Sequence, residues 1–164
     1  MVDEILFEEE GWVGYNKAFR RLVEAETVRG DTIIFSGNPG SCFPFASRFF
    51  YEIRDLDLDM FWAPSAELEE ARKLEWVEGV GFQVGEKRKP PKAKLIVLTP
   101  GLQKVEAWKI ESFLENALKK GGKVVGETPI TGAFERIGWK GKINLDYILE
   151  LSPSSAKVFK LRAS

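Results

Sequence analysis

The stretch Thr32-Ile33-Ile34-Phe35-Ser36-Gly37-Asn38-Pro39-Gly40-Ser41-Cys42-Phe43-Pro44-Phe45 constrains the fold more than any other part of the chain. A short apolar run stops at a loop of small residues, and an amphipathic segment follows at once. That succession is the layout of a buried parallel strand, a tight turn, and a helix whose first turn points back over the strand end. Ser41 is placed to cap that helix, Pro44 is tolerated in its first turn, and apolar spacing carries it to about residue 54.

The same unit recurs. Residues 58–62 read as a second strand leaving into Ala63-Pro64-Ser65, with Ser65 capping a short helix through residue 72. Residues 75–84, broken by Gly79 and Gly81, read as one or two short strands with a bend. Residues 94–98 form the clearest strand and leave into Thr99-Pro100-Gly101. A long helix over about residues 104–120 is then expected to end at Gly121-Gly122. Val124-Val125 leads into Thr128-Pro129-Ile130-Thr131-Gly132, and residues 133–137 suit a helical turn. Strand and helix patterns tie over residues 143–151, and residues 157–161 look like a final edge strand. Ahead of all this, residues 12–28 carry an amphipathic helix ended by Arg29-Gly30.

Strands alternating with helices predict an α/β fold: a single doubly wound, mainly parallel sheet with helices on both faces, Rossmann-like or flavodoxin-like. The 164 residues make one domain, with residues 1–30 as a helical segment packed on the core and residues 152–164 supplying the edge strand.

Several function classes are excluded or weakened. A net charge of −1 gives no general attraction to nucleic acid or to an anionic membrane. The basic run Lys87-Arg88-Lys89 lies in a proline-rich connection with Glu78 and Glu86 nearby and reads as a solvated loop. No apolar run approaches the ~20 residues that span a bilayer, and the start is acidic, which together predict a cytoplasmic protein. One cysteine excludes an internal disulfide framework and a thiolate zinc cluster. Few amide residues beside many Glu and Lys is a bias associated with hot environments. The chain has no histidine, which removes the usual general base near neutral pH and the commonest metal ligand.

Chemistry is therefore expected where the strands leave the sheet. Ser36, Gly37, Asn38, Gly40, Ser41 and Cys42 from the first exit would gather with Thr99, Gly101, Thr128 and Thr131 from later ones on a common edge. Backbone N–H groups and hydroxyls there suit a phosphate or carboxylate. Gly37 and Gly40 give only G-x-x-G, with no lysine of a phosphate loop, so neither standard nucleotide fingerprint is complete and no cofactor is named. Cys42, in a first helical turn, is the candidate catalytic thiol, set against its reading as a small packed hydrophobe. Asp55, Asp57 and Asp59 alternate and could hold a divalent cation, although an exposed acidic face explains them better, and no metal site is expected.

The segments 37–45, Tyr51 with Arg54-Asp55, and Phe134-Glu135 with Gly138-Trp139 resemble a family of uncharacterised archaeal proteins, a domain of unknown function with a Rossmann-like α/β fold. The resemblance covers roughly residues 30–151 and implies fold and archaeal origin but no mechanism. The expected function is binding of a small anionic, phosphate- or nucleotide-like ligand. A homodimeric structural or interaction protein is the alternative, and a thiol-dependent enzyme built on Cys42 the third reading.

Overall fold

Residues Thr32–Gly37 are buried at every position, as a strand covered on both faces and paired on both sides must be. This is β2 in a computed structural model that describes residues 4–151 and 156–161. In chain order the elements are β1 (Glu4–Glu9), α1 (Gly11–Glu26), β2, α2 (Cys42–Glu52), β3 (Asp59–Pro64), β4 (Arg72–Val77), β5 (Gly81–Lys87) and β6 (Ala93–Leu98). They continue with α3 (Ala107–Ala117), β7 (Leu118–Thr128), α4 (Ala133–Arg136), β8 (Tyr147–Leu151) and β9 (Ala156–Lys160). Together the strands make one nine-stranded sheet in the order β1-β9-β8-β7-β6-β2-β3-β4-β5.

The α/β class holds, but the sheet is mixed and not mainly parallel. The block β3-β2-β6-β7-β8 is parallel, whereas β4, β5, β9 and β1 attach to its two sides through antiparallel pairings. The connection from β3 to β6 explains half of this. It carries a β4–β5 hairpin and one 3-10 turn (Leu68–Glu70) in place of a crossover helix, and a hairpin can only add antiparallel strands. On the other side, β9 returns beside β8 and β1 closes over it. The final strand is thus an interior one, and the N-terminal segment contributes an edge strand as well as a helix. Of the expected C-terminal edge segment, residues 152–155 and 162–164 lie outside the described residues.

Alternation along the strands sends one set of side chains to each face. Ile33, Phe35, Leu95, Val97 and Val125 pack beneath α1 and α2, with Phe19 against Phe49 at 4.4 Å and Phe35 against Phe50 at 4.6 Å between ring centroids. Ile34, Ile96, Leu98 and Val124 pack beneath α3, against Ile110 and Phe113. Each such fully buried large side chain contributes roughly 1.5–3 kcal/mol relative to an exposed one.

Other departures from the sequence reading are local. The helix expected over residues 104–120 is a 3-10 turn (Pro100–Lys104) followed by the shorter α3, and Gly121-Gly122 lie inside β7 and do not end a helix. Ser65 caps nothing: Ser65 and Ala66 both hold positive φ, 54° and 58°, and only the 3-10 turn follows. Ser41 makes no capping bond either; the Asn38 side chain instead closes a turn just ahead of α2, accepting from the Gly40 N–H. Asp55, Asp57 and Asp59 are each paired with a cation, Arg20, Arg29 and Lys73 respectively, at 2.7, 2.6 and 2.9 Å. The Arg20 hydrogen bonds hold Asp55 down at about 2. Among the described residues no group of three or more Asp, Glu or Cys side chains is placed to hold a metal ion, and no helix is long and apolar enough to cross a membrane.

Candidate functional site

Strand order reverses between β2 and β6: the chain moves from β2 outward to β3, then returns to the other side of β2. In open α/β sheets the crevice outside the carboxyl ends at such a point is where ligands bind. Here α2 leaves β2 on one face and α3 leaves β6 on the other.

Of the ten residues expected on this edge, five come together. A Cβ added to Gly37 would strike the Thr99 hydroxyl and lie 2.7 Å from Cys42 Cβ; one added to Gly101 would strike Cys42 Sγ and lie 3.0 Å from Asn38 Cβ. Both glycines are therefore required by close approach, and the Cys42 side chain fills the mouth of the crevice between them. Ser41 Oγ approaches Cys42 Sγ only at 4.0 Å, so the packed reading of this thiol is the one its surroundings favour.

The polar groups of Asn38 and of the other expected residues are spent on the loops themselves. Asn38 Oδ1 accepts from the Gly40 N–H at 2.8 Å and from the Ser41 N–H at 3.4 Å, while its carbonyl accepts from the Cys42 N–H at 3.0 Å. An anion at the start of α2 would have to displace this internal acceptor. Ser36 is buried on the α3 side, donating to the Ala63 carbonyl at 2.7 Å and accepting from the Ala66 N–H at 3.0 Å. Thr128 closes a turn on Ile130, and Thr131 donates to the Leu151 carbonyl. Neither reaches the reversal point through these bonds.

Thr99 is different. It is 3% exposed, yet its hydroxyl has no hydrogen-bond partner among the described residues. It stands one residue beyond the paired Leu98 and Gly126, so the next position on β7 is its lateral neighbour. That position is Glu127, a carboxylate with no solvent exposure, absent from the sequence expectations.

Glu127 is held from the α1–α2 face. Helix α1 runs antiparallel to β2, so its first turns arrive over the same edge, and the Tyr15 hydroxyl donates to Glu127 Oε1. Oε2 has no partner among the described residues. From α2 the Arg48 guanidinium lies over Tyr15 at 5.1 Å, Phe45 at 3.9 Å and Trp12 at 4.7 Å from the ring centroids. Its Nε donates to the Phe45 carbonyl at 3.2 Å, but Nη2 is buried without an acceptor among the described residues. Asn16 Oδ1, on the residue after Tyr15, is likewise buried and has no partner among the described residues.

Burial pushes Glu127 up to about 7, against the opposing pull of the Tyr15 hydrogen bond and the Arg48 charge. Burial, with the Glu127 charge and hydrogen bond behind it, raises Tyr15 well above its ordinary value, and loss of solvent lowers Arg48. Unpaired polar atoms in a low-dielectric setting cost roughly 1–3 kcal/mol each. Perturbed titration in such a cluster marks functional sites more often than chance. Two surface hollows lie elsewhere: one of about 360 Å³ among Arg29, Arg54 and Asp57, and one of about 660 Å³ between Ser65, Leu68 and α3 residues including Trp108.

The chain is similar to archaeal proteins that are themselves described as uncharacterized or of unknown function. Over 154 residues the chain is 30% identical to an uncharacterized protein of Methanocaldococcus jannaschii, covering 92% of this chain and 91% of that one. An uncharacterized protein of Methanothermobacter thermautotrophicus is 32% identical over 143 residues, 81% of this chain and 90% of its own. The crystal structure of a protein of unknown function from the same organism superposes with a TM-score of 0.79 at 31% identity, covering 90% and 92% of the two chains. A family model spans residues 10–152, which hold seven of the nine strands, and the chain belongs to that family, described as an uncharacterized protein conserved in archaea (DUF2124).

Proposed function

We propose that this protein binds a small anionic molecule over the carboxyl edge of its parallel strands, with Arg48 supplying the counter-charge and Thr99 a hydroxyl donor. One observation carries the reading. Glu127 is buried and Arg48 half-buried against the same tyrosine, yet among the described residues they make no ion pair with each other, and each keeps one buried polar atom without a partner. Water can satisfy such atoms, but an anion bridging them gains charge-assisted bonds that water lacks. The order of the five parallel strands, that of a flavodoxin-like sheet, supports the same edge. Trp12 and Phe45 stand over Arg48, so the ligand reaches it by turning these rings aside.

Thermal-shift measurements with sulfate, phosphate, small carboxylates and nucleotides test the reading. A ligand at one hundred times its Kd should stabilise by about 2.7 kcal/mol, and Arg48→Met should abolish the shift. Indifference to every anion would overturn it.

A second reading rests on a different surface. Tyr51, Trp76, Val77, Val80 and Val84 are exposed around the β4–β5 hairpin, and β5 is the open edge of the sheet. Pairing of two copies along β5 would cover both features. Sedimentation gives the answer: a clean monomer at micromolar concentration removes this reading.

A further inference from the structure

Arg48 offers one positive charge on a half-buried side chain, where it is screened less than in open water. Glu127, when ionised, already answers that charge at a distance. An incoming anion would put a second negative charge beside the same guanidinium. We propose that anion binding at this site is coupled to uptake of one proton by Glu127, whose carboxyl turns from a competing acceptor into a hydrogen-bond donor as the ligand arrives. This rests on the reading of Arg48 as the counter-charge.

The geometry favours the exchange. With Glu127 neutral, three donors come from three parts of the fold: Arg48 Nη2 from α2, the Thr99 hydroxyl from just past β6 and the Glu127 carboxyl from β7. Each owns one of the atoms that are buried without a partner. With Glu127 ionised, the third becomes an acceptor aimed at an anion. The proton balance is simple: carboxylate, proton and free anion become carboxylic acid and bound anion, with no bond to the ligand made or broken.

The other groups around Glu127 do not replace it in this role. Tyr15, from α1, stays neutral through the physiological range. On β8 the residue level with Glu127 is apolar Leu149, and the next, Glu150, is engaged by the Gly132 N–H at 2.7 Å. Burial has also brought Glu127 to about 7, so the proton is exchangeable where binding would call for it.

Sulfate is the suitable probe, because it does not itself titrate near neutral pH. Titration of the full chain, followed by tryptophan emission, should give a Kd that rises about tenfold per pH unit above about pH 7. Calorimetry in two buffers of different ionisation enthalpy should show uptake approaching one proton per sulfate near pH 8. In Glu127→Gln, whose amide is always neutral, Kd should lose this dependence and the uptake should vanish. Should that variant not fold, the two-buffer comparison on the wild type decides alone. Binding with a flat Kd and no proton uptake overturns the coupling while leaving the site intact. Absence of sulfate binding at every pH, or equal binding by Arg48→Met, overturns the site and the coupling together.

Discussion

Glu127 is one carboxylate among 25 acidic residues, and only its position makes it unusual. It occupies an inward register position on β7, under α1, level with Leu149 of β8 and two residues past buried Val125 on the same face. Its folded value near 7 exceeds the ordinary 4.5, so the folded state holds this proton more tightly than the unfolded chain does. The stability contribution is complete below about pH 4.5 and is lost as pH rises through about 7, by about 3 kcal/mol on an order-of-magnitude basis. Urea unfolding at pH 4.5, 6 and 8 should therefore show the wild type losing ground to Glu127→Gln by about that amount. Parallel curves for the two proteins would mean that the carboxyl is solvated in the native state.

Thr99 gives a second test at the same scale. Replacing a buried hydroxyl that has no partner by an isosteric methyl group should leave stability unchanged or raise it by up to about 1 kcal/mol. The same Thr99→Val change should weaken sulfate binding about tenfold, the worth of one hydrogen bond to a charged ligand. A destabilisation above about 1 kcal/mol would show that the hydroxyl already serves the fold. The strand-exit residues were legible in the sequence because Gly37, Asn38, Cys42, Thr99 and Gly101 follow apolar runs directly. Tyr15, Arg48 and Glu127 were not legible. Tyr15 and Glu127 lie 112 residues apart, and a tyrosine or arginine on an amphipathic helix carries no mark of what it will face.

At the scale of elements, sequence pattern located strands better than it located helix ends. β2, β3 and β6 fall within two residues of expectation because their apolar runs are short and bounded by loop residues. The long helix failed for a physical reason: Leu118 continues the apolar periodicity of α3 while already pairing with Ala93 in the sheet. Gly121, with φ of 74°, then looks like a helix terminator although it is a local irregularity in β7. The antiparallel strand β1 is invisible to a strand–helix pattern because its only partner strand, β9, lies at the far end of the described chain. The start of α3 is itself weak. Glu106 occupies the N-cap position in extended conformation, its side chain makes no capping bond, and it is exposed. A serine there can reach back to the first-turn N–H groups, so Glu106→Ser should stabilise by about 0.5–1 kcal/mol. Denaturant midpoints with unchanged slope would confirm this; an unchanged or lower midpoint would show that the preceding 3-10 turn already satisfies those groups.

For the whole molecule, the sheet divides into a parallel block covered by helices on both faces and two antiparallel flanks. β2 and β6 lie inside the block, with strands on either side and almost every residue buried. β5 has one partner strand and no buried residue, and β1, at the other edge, is also largely open to solvent. Local opening costs least where few apolar contacts break, and most where opening requires global unfolding. Backbone amides of β2 and β6 should therefore exchange hydrogen only through global unfolding, while those of β5 exchange first and those of β1 soon after. The proposed site sits on the slow block, since β6 and β7 carry Thr99 and Glu127. Anion binding should accordingly slow exchange in the first turns of α1 and in α2, which bring Tyr15 and Arg48, and leave the β4–β5 hairpin unchanged. Mass-resolved hydrogen exchange with and without sulfate measures both effects at once. Protection spreading to β5 would place the ligand, or a second copy of the chain, on the hairpin and not at the carboxyl edge.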